Sequence, residues 1–443
     1  MHNLLNAVST NPVLKGILPH LPDKTYLVGG CVRDLVLGSS PADFDLVTFG
    51  QSMVLAQRLA ESLGGKAFFM DRERQVARVA LKRGDMTIDV SPPRGDDIEA
   101  DLAERDITIN AMAISPFDGS IIDPLGGLKD LDEKRIRLIG EKNLKDDPLR
   151  GLRCLRFSAQ LGFSVESSTV EAIRRNAQGL ALISPERIKS EVLKALNCDV
   201  CSSFFRLMAD AGYARVLFRG LRDDGMLHDG LELFSGVERL CLGAPAYLEG
   251  ITGTLCEELE HGLTRSGALR MAGLFAGMAG ALQDRYDDSL VRSWSMRLAL
   301  SSLAVRVIAK SITGMLQARS LSAGPGPGCS GMHRLFSSNT QCIPEMLLLA
   351  LAAEELGENR ITGRTGQPSY QTRASSLWKY FLNTYREHAA NPLLTGYDIM
   401  EDLSVEPGPK VGEMLRMVEE ARSDGIVSSR EQALGYLRSK IPT

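Results

Sequence analysis

Several features that sort a chain quickly are missing from this sequence. It has no excess of basic residues: 51 Lys+Arg stand against 55 Asp+Glu, for a net charge of −4. No global positive field therefore draws it to RNA or to a membrane surface, and any nucleic-acid surface must be local. It has no long apolar run, since the longest, Met346–Ala353 (MLLLALAA), falls far short of the ~20 residues a membrane span needs. Cysteines at 31, 154, 198, 201, 241, 256, 329 and 342 show no framework spacing, which points to reduced thiols. The one close pair, Cys198-x-x-Cys201, has no second Cys or His pair at zinc-ribbon distance and reads as buried helix cysteines. The N-terminus (MHNLLNAVSTNPVLKG) lacks a basic start followed by an unbroken apolar core, so no signal peptide and a cytoplasmic location are expected. There is no internal repeat.

What remains is ordinary in composition. With 44% hydrophobic and 24% charged residues, disordered and collagen-like classes are excluded. A length of 443 residues allows about two to four domains, each large enough to bury a core. Nearly all strand-like text lies in the first 140 residues: TYLVGG, FDLVTF, VARVAL, MTIDVS, AMAISP and SIIDP, with one helical stretch at Met53–Leu63. That mixture predicts an α/β or α+β domain built on one sheet. After Lys142 the strand signal nearly vanishes and helical periodicity takes over, as in Pro148–Leu161, Ser168–Asn176 and Pro185–Leu196. Ser184-Pro185-Glu186 is a good helix start, with a capping Ser, Pro in the first turn and an acid at the positive dipole end. Ser320–Gly331 (SLSAGPGPGCSG) and Gly363–Pro368 read as linkers or long loops, and a small helical module is expected from Asn391 onward.

The chemistry concentrates near the start. In Asp43-Phe44-Asp45, residues i and i+2 of a strand share a face, so both carboxylates can grip one or two divalent cations while Phe44 packs the other way. An Asp-x-Asp alone is also a common surface turn. Its neighbour gives it meaning: in Leu27-Val28-Gly29-Gly30-Cys31-Val32-Arg33-Asp34 a strand ends in two glycines and opens a helix, so that backbone N–H groups and Arg33 can cradle a phosphate chain. Asp89, in Thr87-Ile88-Asp89-Val90, is a third acid able to face the same metals.

LVGGCVRDLVLG followed by DFD resembles the signature of class II nucleotidyltransferases, the tRNA CCA-adding enzymes and bacterial poly(A) polymerases. Further blocks match in order: Asp101–Ala113 (DLAERDITINAMA), Asp123–Arg137 (DPLGGLKDLDEKRIR), Asp146–Phe163 (DDPLRGLRCLRFSAQLGF) and Ile183–Leu196 (ISPERIKSEVLKAL). The resemblance runs over Tyr26–Leu196 and returns weakly in Leu394–Leu437. It implies an α+β fold in which a nucleotidyltransferase head with a mixed β-sheet (1–140) precedes an all-helical neck (141–220), body (221–390) and tail (391–443). It also implies a Mg²⁺-dependent enzyme that extends tRNA 3′ ends from CTP and ATP, with no membrane or stable protein partner.

By position, Asp43 and Asp45 match the Mg²⁺ carboxylates, with Asp89 beside them as a catalytic candidate. Gly29, Gly30 and Arg33 match the triphosphate loop, and Arg105 the nucleotide-contacting Arg, preceded here by Glu104 where the family has Arg. Asp147, Arg150, Arg153 and Arg156 match the block that acts as a protein template. Its chemistry follows from the bases: cytosine and adenine each present a donating amino group and an accepting ring nitrogen, which a carboxylate and a guanidinium complement. Uracil and guanine would leave that carboxylate facing a carbonyl oxygen. Asp147 and Arg150, three apart on a predicted helix, are expected on one face, with Arg156 rotated away.

Two departures bear on the product. Between Asp89 and Arg105 there is only SPPRGDDIEADLAE, where CCA-adding members carry a longer flexible loop; the short link resembles the CC-adding subgroup. The extra basic motif and long basic tail of poly(A) polymerases are not visible. The alternatives are A-adding or poly(A) synthesis, and an inactive RNA-binding homologue. Ser289–Pro344 has no acid but six bases, Arg292, Arg297, Arg306, Lys310, Arg319 and Arg334, the best local candidate for tRNA phosphates. His228-Asp229 resembles the start of a metal phosphohydrolase motif without its remaining ligands and reads as non-functional.

Overall fold

The computed structural model describes residues 11–81, 86–283, 285–321, 328–360 and 370–440. The chain divides into two compact units, Met1–Glu191 with Arg206–Val216, and Val192–Phe205 with Leu217–Thr443.

The first unit is built on a seven-stranded mixed sheet. Its strands are β1 (Thr25–Val28), β2 (Phe44–Thr48), β3 (Lys66–Asp71), β4 (Val76–Ala80), β5 (Thr87–Ser91), β6 (Ala113–Ile114) and β7 (Ile121–Ile122), in spatial order 3-4-5-2-1-6-7. β-Branched and apolar residues alternate with polar ones in these runs, as a sheet with one buried face requires. All pairings are antiparallel except β2 with β5, which lie parallel. Parallel neighbours need a long crossover. Helix α2 (Ser52–Leu63) and the β3–β4 hairpin supply it, with Leu55, Ala56 and Leu59 of α2 buried. Helix α1 (Gly30–Val36) follows β1, and α3 (Ile98–Ala103) follows β5. Val28 and Val47 pack with Ile98, Leu102, Ala111 and Ala113 on one side of the sheet. Helices α4 (Leu149–Leu161) and α5 (Pro185–Leu196) stand where the sequence periodicity places them.

β3 is a strand that sequence patterning overlooks. It lies at the sheet edge, and its apolar Phe68 and Met70 point outward, 44% and 52% exposed, so it lacks the buried alternation that marks the others. Beyond residue 142 the described strands are short: Ser164–Val165, which pairs with Arg135–Ile136, and the ribbon Glu258–Glu260 with Leu263–Thr264.

The second unit is helical. Helix α6 (Asp224–Leu242) packs on α7 (Arg265–Met278) through glycines, since a Cβ on Gly277 would stand 2.4 Å from the backbone nitrogen of Gly230. Phe218, Phe275 and Trp294 form a mutual aromatic cluster beneath them. Helices α8 (Ser302–Leu321), α9 (Cys329–Ser338) and α10 (Ile343–Arg360) follow. The chain closes with α11 (Gly396–Leu403), α12 (Pro409–Ser423) and α13 (Arg430–Lys440), whose core is Ile399, Val418, Ala433 and Leu437. Gly363–Pro368 and residues 322–327 of the Ser320–Gly331 stretch lie outside the described residues. No described helix is long and apolar enough to cross a membrane.

Candidate active site

Strand register sets the chemistry. Val28 pairs with Asp45, Asp45 with Asp89, and Asp89 with Arg78, so these residues form one row across β1, β2, β5 and β4. Partners in register share a face of the sheet. The row opens into a cleft of about 940 Å³ within the first unit. Its lining carries the acids Asp45, Asp71, Asp89, Glu104, Asp106 and Asp147 together with Arg74, Arg94, Arg105, Arg150, Arg153 and Arg187.

Each acid is held differently. Asp43 lies just before β2 rather than in it; its Oδ1 accepts from the Thr87 N–H at 3.0 Å and from Thr87 Oγ1 at 2.8 Å. Asp89 accepts from Arg78 Nε and Nη2, both at 2.7 Å, a two-pronged grip that fixes the carboxylate plane. Asp45 has no such clamp. Burial, opposed by Arg105 and reinforced by Asp89 and Asp43, pushes its carboxyl up to about 6. Asp43 is exposed and does not line the cleft, but its charge adds to that of Asp89 in making Asp45 reluctant to ionise, a situation that a divalent cation would relieve.

Gly29 makes this arrangement possible. Its φ of +80° favours glycine, and a Cβ there would stand 3.0 Å from both Asp45 Oδ2 and Arg105 Nη1. Arg105 in turn is set by the buried Asp101, whose Oδ2 accepts from its Nε at 3.1 Å and its Nη2 at 2.9 Å. Gly30 opens α1, as the sequence suggests. Arg33 is placed differently from the expectation: it is only 5% exposed, donates to Asn110 Oδ1 at 2.8 Å and to Asp34 Oδ1 at 2.9 Å, and does not line the cleft. Glu104 faces the cleft, but its carboxylate, 40% exposed, pairs with Lys142 at 3.2 Å.

The template block is also rearranged. Asp147 is not helical; its φ and ψ are −143° and 96°, and α4 begins after Pro148. Proline drives the residue before it out of the helical region, which the periodicity reading missed. Asp147 nonetheless lines the cleft with Arg150, and its Oδ2 accepts from Arg187 Nη2 at 2.7 Å. Arg150 Nη1 donates to the Arg105 carbonyl at 3.1 Å. Arg153 donates to Asp106 Oδ2 at 2.7 Å, and Arg156, 6% exposed, to Glu191 Oε2 at 2.5 Å. Arg156 lies outside the cleft lining, in keeping with its rotation away on the helix. Burial and the neighbouring charges of Arg105 and Arg150 hold Arg94 below the usual arginine range, a sign of positive charge gathered without enough anion.

Arg74, Arg94, Arg187, Asp101 and Asp106 escaped the sequence reading as functional positions. Asp101, Asp106 and Arg187 lie inside blocks that carried the resemblance, Arg74 and Arg94 outside them, and only tertiary contacts single them out. Elsewhere, Asp229 is buried and accepts from Gln283 Nε2 at 2.8 Å. All eight cysteines are free.

Residues 25–137 match the family described as "Poly A polymerase head domain", and residues 162–224 that described as "Probable RNA and SrmB- binding site of polymerase A". A CC-adding tRNA nucleotidyltransferase of Geobacter sulfurreducens is 31% identical over 447 residues, covering 99% of this chain and 97% of its own. An A-adding tRNA nucleotidyltransferase of Deinococcus radiodurans is 29% identical over 434 residues, covering 95% and 96%. The fold is shared with a Thermotoga maritima CCA-adding enzyme solved in complex with tRNA, at a TM-score of 0.71 and 22% identity over 99% of both chains. Sheet register, ordered motifs and near-full-length similarity together make this chain a member of the tRNA nucleotidyltransferase and poly(A) polymerase family of enzymes.

Proposed function

We propose that this enzyme adds CMP residues to tRNA 3′ ends from CTP and stops at CC. The observation that carries the chemistry is the cleft itself, in which the register partners Asp45 and Asp89 meet a set of arginines. A nucleoside triphosphate needs that polarity, its phosphates against the arginines and its reacting end at the acids. The segment joining β5 to α3 is short, with Ser91, Pro92, Pro93 and Arg94 lining the cleft, and leaves no long loop to re-form the pocket for ATP after the second C.

Asp43 and Asp45 are the residues that would hold Mg²⁺, which supplies Lewis-acid activation of the RNA 3′-hydroxyl and charge neutralisation on the triphosphate. Asp89, fixed by Arg78, keeps a third negative charge beside Asp45. Arg105, aimed by Asp101, and Arg153, aimed by Asp106, neutralise phosphate oxygens. Asp147 accepts the amino hydrogen of cytosine while Arg150 donates to the ring nitrogen, and Arg187 keeps the Asp147 carboxylate turned to this task. Arg33 supports the loop from behind through Asn110. The first unit would act as head and neck, with boundaries near 140 and 220, and the helices beyond as body and tail for the tRNA, the body carrying exposed Arg306 and Lys310. The setting would be the cytoplasm, where free thiols stay reduced.

The test is incorporation of labelled CTP and ATP, separately and together with Mg²⁺, into tRNAs ending in the discriminator base, in C or in CC. CTP addition that stops at CC is expected. ATP joined to a CC end as efficiently as CTP is joined earlier would retire the CC assignment and leave A addition or complete CCA synthesis. In the same assay Asp45→Asn should lose at least about a hundredfold in rate, the scale of removing one preorganised charge-stabilising group.

A further inference from the structure

In the second unit, three residues well separated in sequence converge. His333 comes from α9, Glu419 from α12, and His388 from the short helix Arg386–Ala390. One ring nitrogen of each histidine and one carboxylate oxygen of Glu419 all lie within 4.8 Å of one another. His333 is 7% exposed. The Nδ1 atoms of both histidines are buried and make no hydrogen bond, and the buried Glu419 carboxylate is approached by the Leu393 backbone N–H but hydrogen-bonded by no side chain. Burying polar atoms without partners is costly, so their occurrence in three side chains that converge requires an explanation.

Arg422 is the nearest competing explanation. Its Nη1 stands 3.8 Å from Glu419 Oε2, too long for a hydrogen bond, and donates instead to the Asn391 carbonyl at 2.7 Å. Glu420, the next acid, is committed to Arg334 at 2.9 and 2.7 Å. Tyr385 packs against the His333 ring, 5.2 Å between centroids, and walls the cluster with apolar surface.

We propose that His333, His388 and Glu419 form a binding site for a divalent transition metal of the zinc class. Two imidazoles and a carboxylate are a zinc-type ligand set, and the fourth position is left to water. The site takes no part in nucleotidyl transfer. It ties α9 to α12 and anchors the terminal three-helix module, alongside the contacts Arg334–Glu420 and Ser330 N–H to Asp424 Oδ1 at 2.9 Å.

The experiment uses the full chain without a histidine tag, stripped with a chelator and then dialysed against Zn²⁺ in the presence of excess Mg²⁺. Metal content is read by atomic emission, and thermal unfolding is followed with and without Zn²⁺. One Zn²⁺ per chain is expected, with a rise in unfolding temperature. Both should be lost in Glu419→Gln and in His388→Gln, and both retained in Asp45→Asn. Cys329 is exposed and lies one helical turn before His333, so Cys329→Ser is the control for thiol binding. No retained Zn²⁺, or Zn²⁺ lost with Cys329→Ser but kept by both Glu419→Gln and His388→Gln, would overturn the assignment. The His388 and Glu419 variants keep the proposal testable even where altering the deeply buried His333 prevents folding.

Discussion

Asp45 and Asp89 are register partners on the parallel strands β2 and β5, so the sheet compels two carboxylates to face the same cleft. Arg78 answers the charge of one, and Arg105 approaches the other past Gly29. The spacing of this foursome is tighter than any single motif implies.

The first prediction concerns that spacing. Gly29→Ala places a methyl group 3.0 Å from Asp45 and Arg105, at a backbone angle that side chains rarely adopt. Strain of about 1–3 kcal/mol is expected in thermal unfolding. Nucleotide incorporation should fall by more than that strain explains, because both flanking groups must shift. A variant with wild-type rate would show that the close approach is idle.

Asp147 offers a cleaner readout, discrimination between bases. Asp147→Ala removes the acceptor proposed for the amino group and frees Arg187. The preference for CTP over UTP should shrink by about tenfold or more, on the scale of one lost hydrogen bond to a charged partner. Preference ratios in competition assays check this independently of total activity. Arg187→Met should have a weaker effect in the same direction, since Asp147 survives but loses its orientation.

The pairing of Asp106 with Arg153 predicts a pH dependence. Burial favours the neutral acid, but the charge and hydrogen bond of Arg153, the Ile107 N–H and Arg105 outweigh it, leaving Asp106 below the ordinary value of 3.8. A carboxyl depressed in the folded state contributes stability that is present above the unfolded value and lost as pH falls through the folded one. The wild-type unfolding temperature should therefore drop, as pH falls below the ordinary value of 3.8, more steeply than that of Asp106→Asn. At neutral pH, Arg153→Met should cost about 3 kcal/mol by leaving a buried carboxylate without its partner.

The acid-free stretch Ser289–Pro344 looks more basic in sequence than in space. Arg292 pairs with Asp288, Arg319 with Glu354 and Arg334 with Glu420, all partners from outside the stretch. Arg306 and Lys310 are exposed on α8. Reversing both to Glu should weaken tRNA binding and lower its salt dependence by about two ion equivalents. Reversing Arg319 should act chiefly on folding. Binding isotherms at several salt concentrations separate the two.

How much of this was legible in the sequence varies with the range of the interaction. Six strands and the helices around Met53–Leu63, Pro148–Leu161 and Pro185–Leu196 follow from local patterning, because each buries one side and the pattern records it. β3 was not legible, since an edge strand with outward Phe68 and Met70 carries no such record. Pro148 was visible, yet helical spacing was read straight through it, which put Asp147 on the wrong element. Arg33 and Arg156 show the other gap: an arginine in a motif announces its charge but not its partner. Asn110, Asp34 and Glu191 became partners only through tertiary contact. The His333–His388–Glu419 cluster had no local signal at all, because its members come from three separate helices.

The parallel β2–β5 pairing also dictates an order of events as the protein is made. Thr87 meets Asp43 across 44 residues of chain, and between them a helix and a hairpin must already be in place. β1 and β2 can pair early as neighbours, carrying Asp43 and Asp45 exposed and unanswered. β5 then arrives as the later insertion that brings Asp89, with Arg78 on β4 to its other side. A chain ending before residue 91 has Asp43 and Asp45 but not the complete strand that seats Asp89, so the acid row is assembled only when the sheet closes. The row and the closed sheet are in this sense one structure, completed by a long-range strand pairing.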